Sequence, residues 1–405
     1  MTNTQAAVVD FGTSKVVTII AKGGRGKTER LEIIGTGSVL YDGFRDGDWN
    51  TPEKLVESVK NSIAAAELQA RQSVHEVYIG VPGEYITVFT GEAEVDITGP
   101  DGTVCAADID AVQDLVADRL NLMEKDGIVL HRSPAWFSVD GGPTTLMPIN
   151  DEIRGQRLMA KVSYILADRR FMNDVAELMG MLNMTVAGYL SSSLGTALLM
   201  MSPEDRDNTS VMIDVGYLNT EINVVEGEAI VYHEMLDIGG AELAVALTDE
   251  LRVDLKDAER IKRTFSFQPD EFEEQEDVEV RDPYSGRRKM IPRYEVADVM
   301  LPVMDEITEL IRKTMDRSVY GLLAQNSKVY ITGGGIAMMK GGRNMLAEAL
   351  DMPVENVTNK TAKLNYPMFS SALGLTNLVF DALQVEEEME SDSSVLSKVK
   401  GFFKR

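Results

Sequence analysis

Residues 7–21 read AVVDFGTSKVVTIIA and residues 211–226 read VMIDVGYLNTEINVVE. In each, a short apolar run ends in Asp-x-Gly, a polar turn follows, and a second β-rich run returns, which is the pattern of a hairpin. Asp10 and Asp214 lie 204 residues apart in a chain of 405, so the halves read as a duplication. An Ile-Gly pair, Ile34-Gly35 and Ile238-Gly239, stands at the same distance beyond each Asp and is expected to close a third strand. A helix should follow. In the first half Thr51 and Pro52 suit the N-cap and first helical positions, and Leu55, Val59, Ile63 and Ala66 fall on one face. Its counterpart is expected over 241–263. Val77-Tyr78-Ile79-Gly80 and Val329-Tyr330-Ile331-Thr332-Gly333 then give each half a further strand and glycine turn. The order is βββαβ, twice, which predicts two α/β domains around a cleft.

Extra chain interrupts the halves at different places. Residues 84–164 read as a small α+β insert, with strands near 85–97, 128–139 and 158–165 and a helix over 106–123. The first core is therefore expected over 1–83 plus 165–207, and the second domain over 208–385 with an insertion at about 241–317. That insertion carries an acidic stretch, 270–279, a turn at 283–286 and the basic run Arg287-Arg288-Lys289. Taken alone, each charge run reads as a solvated loop.

Composition excludes several classes of function. The 65 acidic residues against 40 Lys and Arg leave a net charge of −25, which repels a phosphate backbone, so no nucleic acid is expected as partner. Hydrophobic content of 44% with 26% charged residues is that of a globular chain. Cys105 is a lone cysteine and forms no internal disulfide. No window is apolar enough to cross a bilayer, and the N-terminus lacks the pattern of a signal peptide, so a cytosolic body is expected. His75, His131 and His233 lie far apart with no ligand spacing, and are read as structural or surface residues.

Two hairpins with Asp-x-Gly at a strand end have the parts to hold a nucleoside triphosphate and its cation. Glycine lets backbone N–H groups approach phosphate, and the turn forms an anion nest. Gly12, Thr13, Ser14 and Lys15 supply N–H groups, hydroxyls and a cation in the first hairpin. Because Mg²⁺ keeps several of its waters, Asp10 and Asp214 need reach it only through them. Gly333, Gly334 and Gly335 would admit a purine and α-phosphate, or serve merely as a flexible turn. Glu259 and Lys262, one turn apart in AERIK, could contact a ribose, or form an exposed helix pair. Gly216, Asn219, Thr220, Gly239 and Gly240 complete the candidate set. No catalytic residue is assigned.

Residues 10–15 (DFGTSK), AERIK, 331–335 (ITGGG) and 370–374 (SSALG) together resemble the actin, sugar-kinase and heat-shock ATPase superfamily, whose core is ribonuclease-H-like. Within it the chain looks most like the FtsA family of bacterial division proteins, over essentially its whole length. The resemblance implies an actin-like protein that binds ATP and Mg²⁺, forms filaments with itself, and ties FtsZ filaments to the cytoplasmic face of the membrane at the division site. Other division-ring proteins would be further partners. It also implies that the acidic FtsZ tail peptide docks on the second-half insert, where Arg287, Arg288, Lys289 and Arg293 are candidate contacts. The chain departs from the family pattern at the second hairpin. Tyr217 and Leu218 stand where glycines are usual, and residues 190–193 (LSSS) lack the carboxylate that can position water in relatives. Losing such a group commonly costs on the order of 10² to 10⁴ in rate, so ATP is expected to bind while hydrolysis is very slow or absent.

The last eleven residues, VLSKVKGFFKR, place Val395, Leu396, Val399, Phe402 and Phe403 on one helical face, with Lys398, Lys400, Lys404 and Arg405 beside it. At ~1.5 Å per residue this helix spans about half a hydrocarbon core, so it would lie in an anionic membrane surface rather than cross it. The acidic segment 386–394 reads as its linker. Two other readings are a PilM-like pilus-assembly scaffold and a sugar-kinase-type phosphotransferase. The first has no need of this tail, and the second needs a carboxylate the cleft lacks.

Overall fold

The computed structural model describes residues 4–23, 31–45, 47–146, 153–269, 277–281, 285–356 and 364–391, with residues 385–391 as backbone only. The chain divides into two compact units. Unit 1 runs to residue 209, takes in 223–233 and resumes at 371; unit 2 holds 210–222 and 234–370.

In unit 1, β1 (Thr4–Phe11), β2 (Lys15–Gly23) and β3 (Glu32–Leu40) form an antiparallel meander. A small ribbon follows, β4 (Phe44–Arg45) with β5 (Asp48–Trp49). Then come α1 (Pro52–Ala70) and β6 (Glu76–Val81), which pairs parallel to β1. Leu55, Val59, Ile63 and Ala66 are buried along α1, as their spacing predicts. Thr51 occupies the N-cap position, but its hydroxyl donates to the Asp42 carboxylate (2.6 Å) and makes no cap bond. The helix lies so close to β3 that a Cβ on Gly35 would meet the Ala66 carbonyl oxygen at 2.2 Å, and one on Gly37 the Ser62 carbonyl oxygen at 1.9 Å. Gly35 therefore sits inside β3 as a packing residue and does not close the strand.

The insert consists of β7 (Ile86–Asp96), α2 (Ala106–Arg119), β8 (Ile128–Val139) and β9 (Arg157–Ala167). Its antiparallel sheet has the order β7-β9-β8, and Val112 and Val116 of α2 pack into one core with Leu158, Ala160 and Val162 of β9. Within unit 1 it is tied to residues 223–233: Ser163 Oγ donates to the Ile230 carbonyl (2.5 Å), Thr90 Oγ1 to that of Val231 (3.1 Å), and Lys161 pairs with Glu226 (2.5 Å). Next are α3 (Arg169–Met181), β10 (Thr185–Ser191), α4 (Ser192–Met200) and α5 (Pro203–Asp207). The main sheet has the order β10-β6-β1-β2-β3.

The second sheet has the order β13-β12-β11-β16-β17, from β11 (Ser210–Val215), β12 (Thr220–Glu226), β13 (Ala229–Leu236), β16 (Val329–Thr332) and β17 (Val354–Asn356). Read from the other end, this is the order of the first sheet. The repeat extends to register: Val8 and Val9 pair with Tyr78 and Ile79, and Met212 and Ile213 pair with Tyr330 and Ile331. Between β13 and β16 lie α6 (Ala241–Leu251), α7 (Leu255–Thr264), the ribbon β14 (Val278–Arg281) with β15 (Arg288–Ile291), and α8 (Arg293–Thr314). The single helix expected over 241–263 is thus two, because Arg252 takes a left-handed conformation (φ 54°) and Asp254 starts a new helix by capping Asp257 N. Helix α9 (Gly342–Leu350) precedes β17. Ile238-Gly239 follows β13 in a turn, so the two Ile-Gly pairs are not equivalent positions despite equal spacing.

Helix α10 (Ser370–Ser391) runs through the first six residues of the segment expected to be a linker. Its Gly374 meets Gly195 of α4 backbone to backbone: a Cβ on Gly374 would lie 2.4 Å from the Gly195 carbonyl carbon. Residues 395–405, the proposed membrane helix, lie outside the described residues. No described helix is long and apolar enough to cross a membrane.

Candidate functional site

The two hairpin turns are built alike. Gly12 N donates to the Lys15 carbonyl (3.0 Å), and 204 positions on, Gly216 N donates to the Asn219 carbonyl (2.9 Å). In the first turn Tyr41 bonds two further carbonyls, its N–H on Ser14 O (3.1 Å) and its hydroxyl on Gly12 O (2.8 Å). Gly43, at φ +74°, packs so tightly on Thr13 that a Cβ would lie 2.0 Å from the Thr13 carbonyl oxygen. Thr13 is buried, while Ser14 and Lys15 are half-buried.

Asp10 ends the apolar run of β1 and is only 6% exposed. Its Oδ1 accepts hydrogen bonds from Ser192 Oγ, at the head of α4, and from Ser371 Oγ, in the first turn of α10, each at 2.8 Å. Burial raises its pKa, opposed by the Ser371 and Ser192 hydroxyls and by the charge of Lys15. A cation near this carboxylate would favour its ionised form. Space for the cluster depends on Gly80, where a Cβ would lie 2.3 Å from Ser192 Oγ. Ser192 and Ser371 are the site residues that sequence reasoning missed. A serine beginning each of two small-residue helices, SSSLG and SSALG, was the available signal.

In unit 2 the glycines pack mainly against the chain itself. Gly240 N donates to the Gly216 carbonyl (3.0 Å) and Gly335 N to that of Val215 (2.8 Å). A Cβ on Gly239 would meet Tyr217 O at 2.6 Å, one on Gly240 the Gly335 Cα at 2.8 Å, and one on Gly335 the Gly216 carbonyl oxygen at 2.4 Å. Gly333 has φ +89°, with its Cβ position 2.2 Å from Asp214 Oδ1, so the aspartate and the triple-glycine turn are in contact. Gly334 is the roomy member, its Cβ position having only Met368 Cβ nearby, at 3.4 Å. Thr220 is fully buried, and its hydroxyl donates to the Ile238 carbonyl (2.7 Å).

Glu259 and Lys262 are not an exposed helix pair. Lys262 is 4% exposed; its Nζ donates to Gly240 O (3.0 Å) and Glu259 Oε1 (2.7 Å) and stands 4.9 Å from the centre of the Tyr217 ring. Burial lowers its pKa, with Glu259 opposing. Burial also pushes the Tyr217 hydroxyl up to about 12, reinforced by the charge of Glu259 and a hydrogen bond to it. The Tyr217 side chain thus joins the turn to the Glu259–Lys262 pair.

The four basic candidates of the second-half insert separate in role. Arg287, just before β15, and Lys289, on it, are exposed, and Arg288 pairs with Glu279 (3.4 Å). Arg293 stacks on Phe265 at 4.4 Å and donates to the Ser266 carbonyl, so much of its guanidinium is committed to packing. Among the described residues no group of three His, Cys, Asp or Glu could hold a bare metal ion. An open groove of about 550 Å³ in unit 1, lined by Glu84, Asp126, Asp168 and Arg170 among others, includes none of the hairpin-turn residues.

Residues 211–374 match the family model described as "Cell division protein FtsA". The chain is 25% identical to the cell division protein FtsA of Borreliella burgdorferi over 98% of this chain and 97% of that protein. It is 23% identical to that of Escherichia coli K12 over 98% and 95%. Among solved structures, a chain of the PilM–PilN type IV pilus biogenesis complex matches with a TM-score of 0.61 at 16% identity, over 92% of this chain and 97% of that one. MreB5 of Spiroplasma citri bound to ADP matches with 0.53 at 14%, over 95% and 98%. At these identities the structures show the fold, which is actin-like.

Proposed function

We propose that this relative of the FtsA cell-division proteins, actin-like in fold, is an ATP-binding adaptor. It self-assembles and ties FtsZ filaments to the cytoplasmic face of the membrane through residues 395–405. The observation that carries the nucleotide reading is the repeat of one turn at an offset of 204 residues, conserved in sequence pattern, turn hydrogen bond and strand register. Glycine turns of this kind can bind phosphate through backbone N–H groups, and Asp10, like Asp214, would reach Mg²⁺ through its waters. Residues 190–193 offer serines and no carboxylate to orient water, so ATP stays largely unhydrolysed. MreB5, a structural neighbour, is described as bound to ADP, which supports nucleotide binding by this fold.

Titration of the purified full chain with a fluorescent ATP analogue, with and without Mg²⁺, tests the reading. Saturable binding that Mg²⁺ strengthens, and that Asp10→Asn makes insensitive to Mg²⁺, is expected. A folded wild-type chain that binds no nucleotide up to millimolar concentration refutes it.

A further inference from the structure

His131 belongs to the insert, on β8, yet it reaches the main sheet of unit 1. Its Nε2 accepts the backbone N–H of Ser191 at 2.8 Å, and both residues are buried. An accepting Nε2 requires the neutral ring. Burial ensures it, holding the imidazole at about 4. Ser191 is the N-cap of α4, with its Oγ accepting from Leu194 N at 3.2 Å. The next residue, Ser192, donates to Asp10 Oδ1 at 2.8 Å. The head of α4 is thus held by the insert through one residue's backbone and holds the aspartate through the next residue's side chain.

Little else in the arrangement has slack. Ser191 closes the pairing of β10 with β6 opposite Val81, and Gly195 locks α4 against Gly374 of α10, whose Ser371 donates to the same Asp10 oxygen. If the acceptor at His131 is removed, a buried N–H loses its partner unless the helix head shifts toward another. A shift of a few tenths of an ångström moves Ser192 Oγ relative to Asp10.

We propose that His131 is a positioning residue through which the inserted subdomain sets the geometry of Asp10, by way of Ser191 and Ser192. The insert is then a lever on cation affinity: a partner that displaces it would weaken the hold of Asp10 on the hydrated ion. This inference rests on the reading of Asp10 as a cation-binding carboxylate.

The test compares His131→Phe, apolar and without an acceptor, with His131→Gln, whose carbonyl restores one at similar reach. Hydrogen exchange of the intact chain reads the linkage, and Mg²⁺ titration of ATP-analogue binding reads its consequence. His131→Phe should speed exchange at residues 191–194 and reduce the Mg²⁺-dependent gain in nucleotide affinity by about three- to thirtyfold. Affinity without Mg²⁺ should be unchanged. His131→Gln should restore both, and Ser192→Ala combined with His131→Phe should lose no more than either alone. Unaltered exchange at residues 191–194 in a folded His131→Phe chain overturns the proposal by itself, as does altered exchange with an unchanged Mg²⁺ gain. Wild-type binding indifferent to Mg²⁺ removes the cation reading of Asp10, and the proposal with it.

Discussion

Replacing Gly374 with alanine sets two effects of opposite sign against each other. Alanine in a helix interior is favoured over glycine by about 0.8–1.0 kcal/mol, so on an open helix face the change would stabilise. In α10 the added Cβ would lie 2.4 Å from the carbonyl carbon of Gly195, 2.4 Å from Thr196 N and 2.5 Å from Gly195 O. Ordinary contact begins near 3.4 Å. The clash is with backbone, which has no rotamer to escape into, so α4 and α10 must part by about 1 Å. Overpacking of this kind costs typically about 1–3 kcal/mol, and the parting also opens a void along the rest of the helix pair. Net destabilisation is expected, with weakened Mg²⁺-dependent nucleotide binding because Ser192 and Ser371, at the two helix heads, move apart around Asp10. Gly180 in α3 is the control: its Cβ position has nothing within 4 Å and its φ is ordinary, so Gly180→Ala should be neutral or stabilising. Urea unfolding of both variants reads the contrast. Gly374→Ala equal to or more stable than wild type would refute the close approach of the two helices.

Asp10→Asn should show a pH signature. Burial raises the Asp10 pKa, so the stability present below the ordinary Asp value is lost as pH rises through the raised one, and asparagine escapes that loss. The stability of Asp10→Asn relative to wild type, measured in urea without Mg²⁺, should therefore grow from pH 4 to pH 8; a shrinking difference contradicts the assignment. Deleting residues 395–405 should abolish co-sedimentation with anionic vesicles, since four basic side chains at about 1 kcal/mol each and two Phe rings are lost together. Unchanged pelleting would show that attachment resides elsewhere. Steady-state ATP turnover should stay far below the roughly 1–100 s⁻¹ of kinases, and a rate of about 1 s⁻¹ without partners would argue against an unassisted water site. Tyr217→Phe removes the hydroxyl bonded to Glu259 while keeping the ring beneath Lys262. It should cost at most about 1 kcal/mol in stability, read by thermal melting.

The repeated hairpins were legible because both kinds of signal they depend on are local. Apolar alternation fixes the strands, and Asp-x-Gly fixes the turn. The insert strands and the buried face of α1 followed from periodicity for the same reason. Equal spacing misled at Ile34-Gly35 and Ile238-Gly239, where the two pairs fall in a strand and in a turn. A count along the chain cannot see that α1 presses on Gly35 while Tyr217 borders Gly239. The break at Arg252 was missed because 241–263 keeps its apolar period across a left-handed residue other than glycine. The serines of SSSLG and SSALG were visible as helix starts, but their target was not, since Ser192, Ser371 and His131 each act on a residue more than fifty positions away.

The two copies of the hairpin have diverged in how they constrain their aspartates. Around Asp10 the constraint is chemical: two serine hydroxyls converge on one buried oxygen, and the charge of Lys15 opposes the cost of burial. Asp214 is less buried, and the backbone of Gly333, at φ +89°, packs against its carboxylate. Because the donors to Asp10 stand at the heads of α4 and α10, a cation drawn to that carboxylate should be felt there: Mg²⁺ with nucleotide should alter hydrogen exchange at both helix heads. Unaltered exchange at both helix heads would refute that role for Asp10.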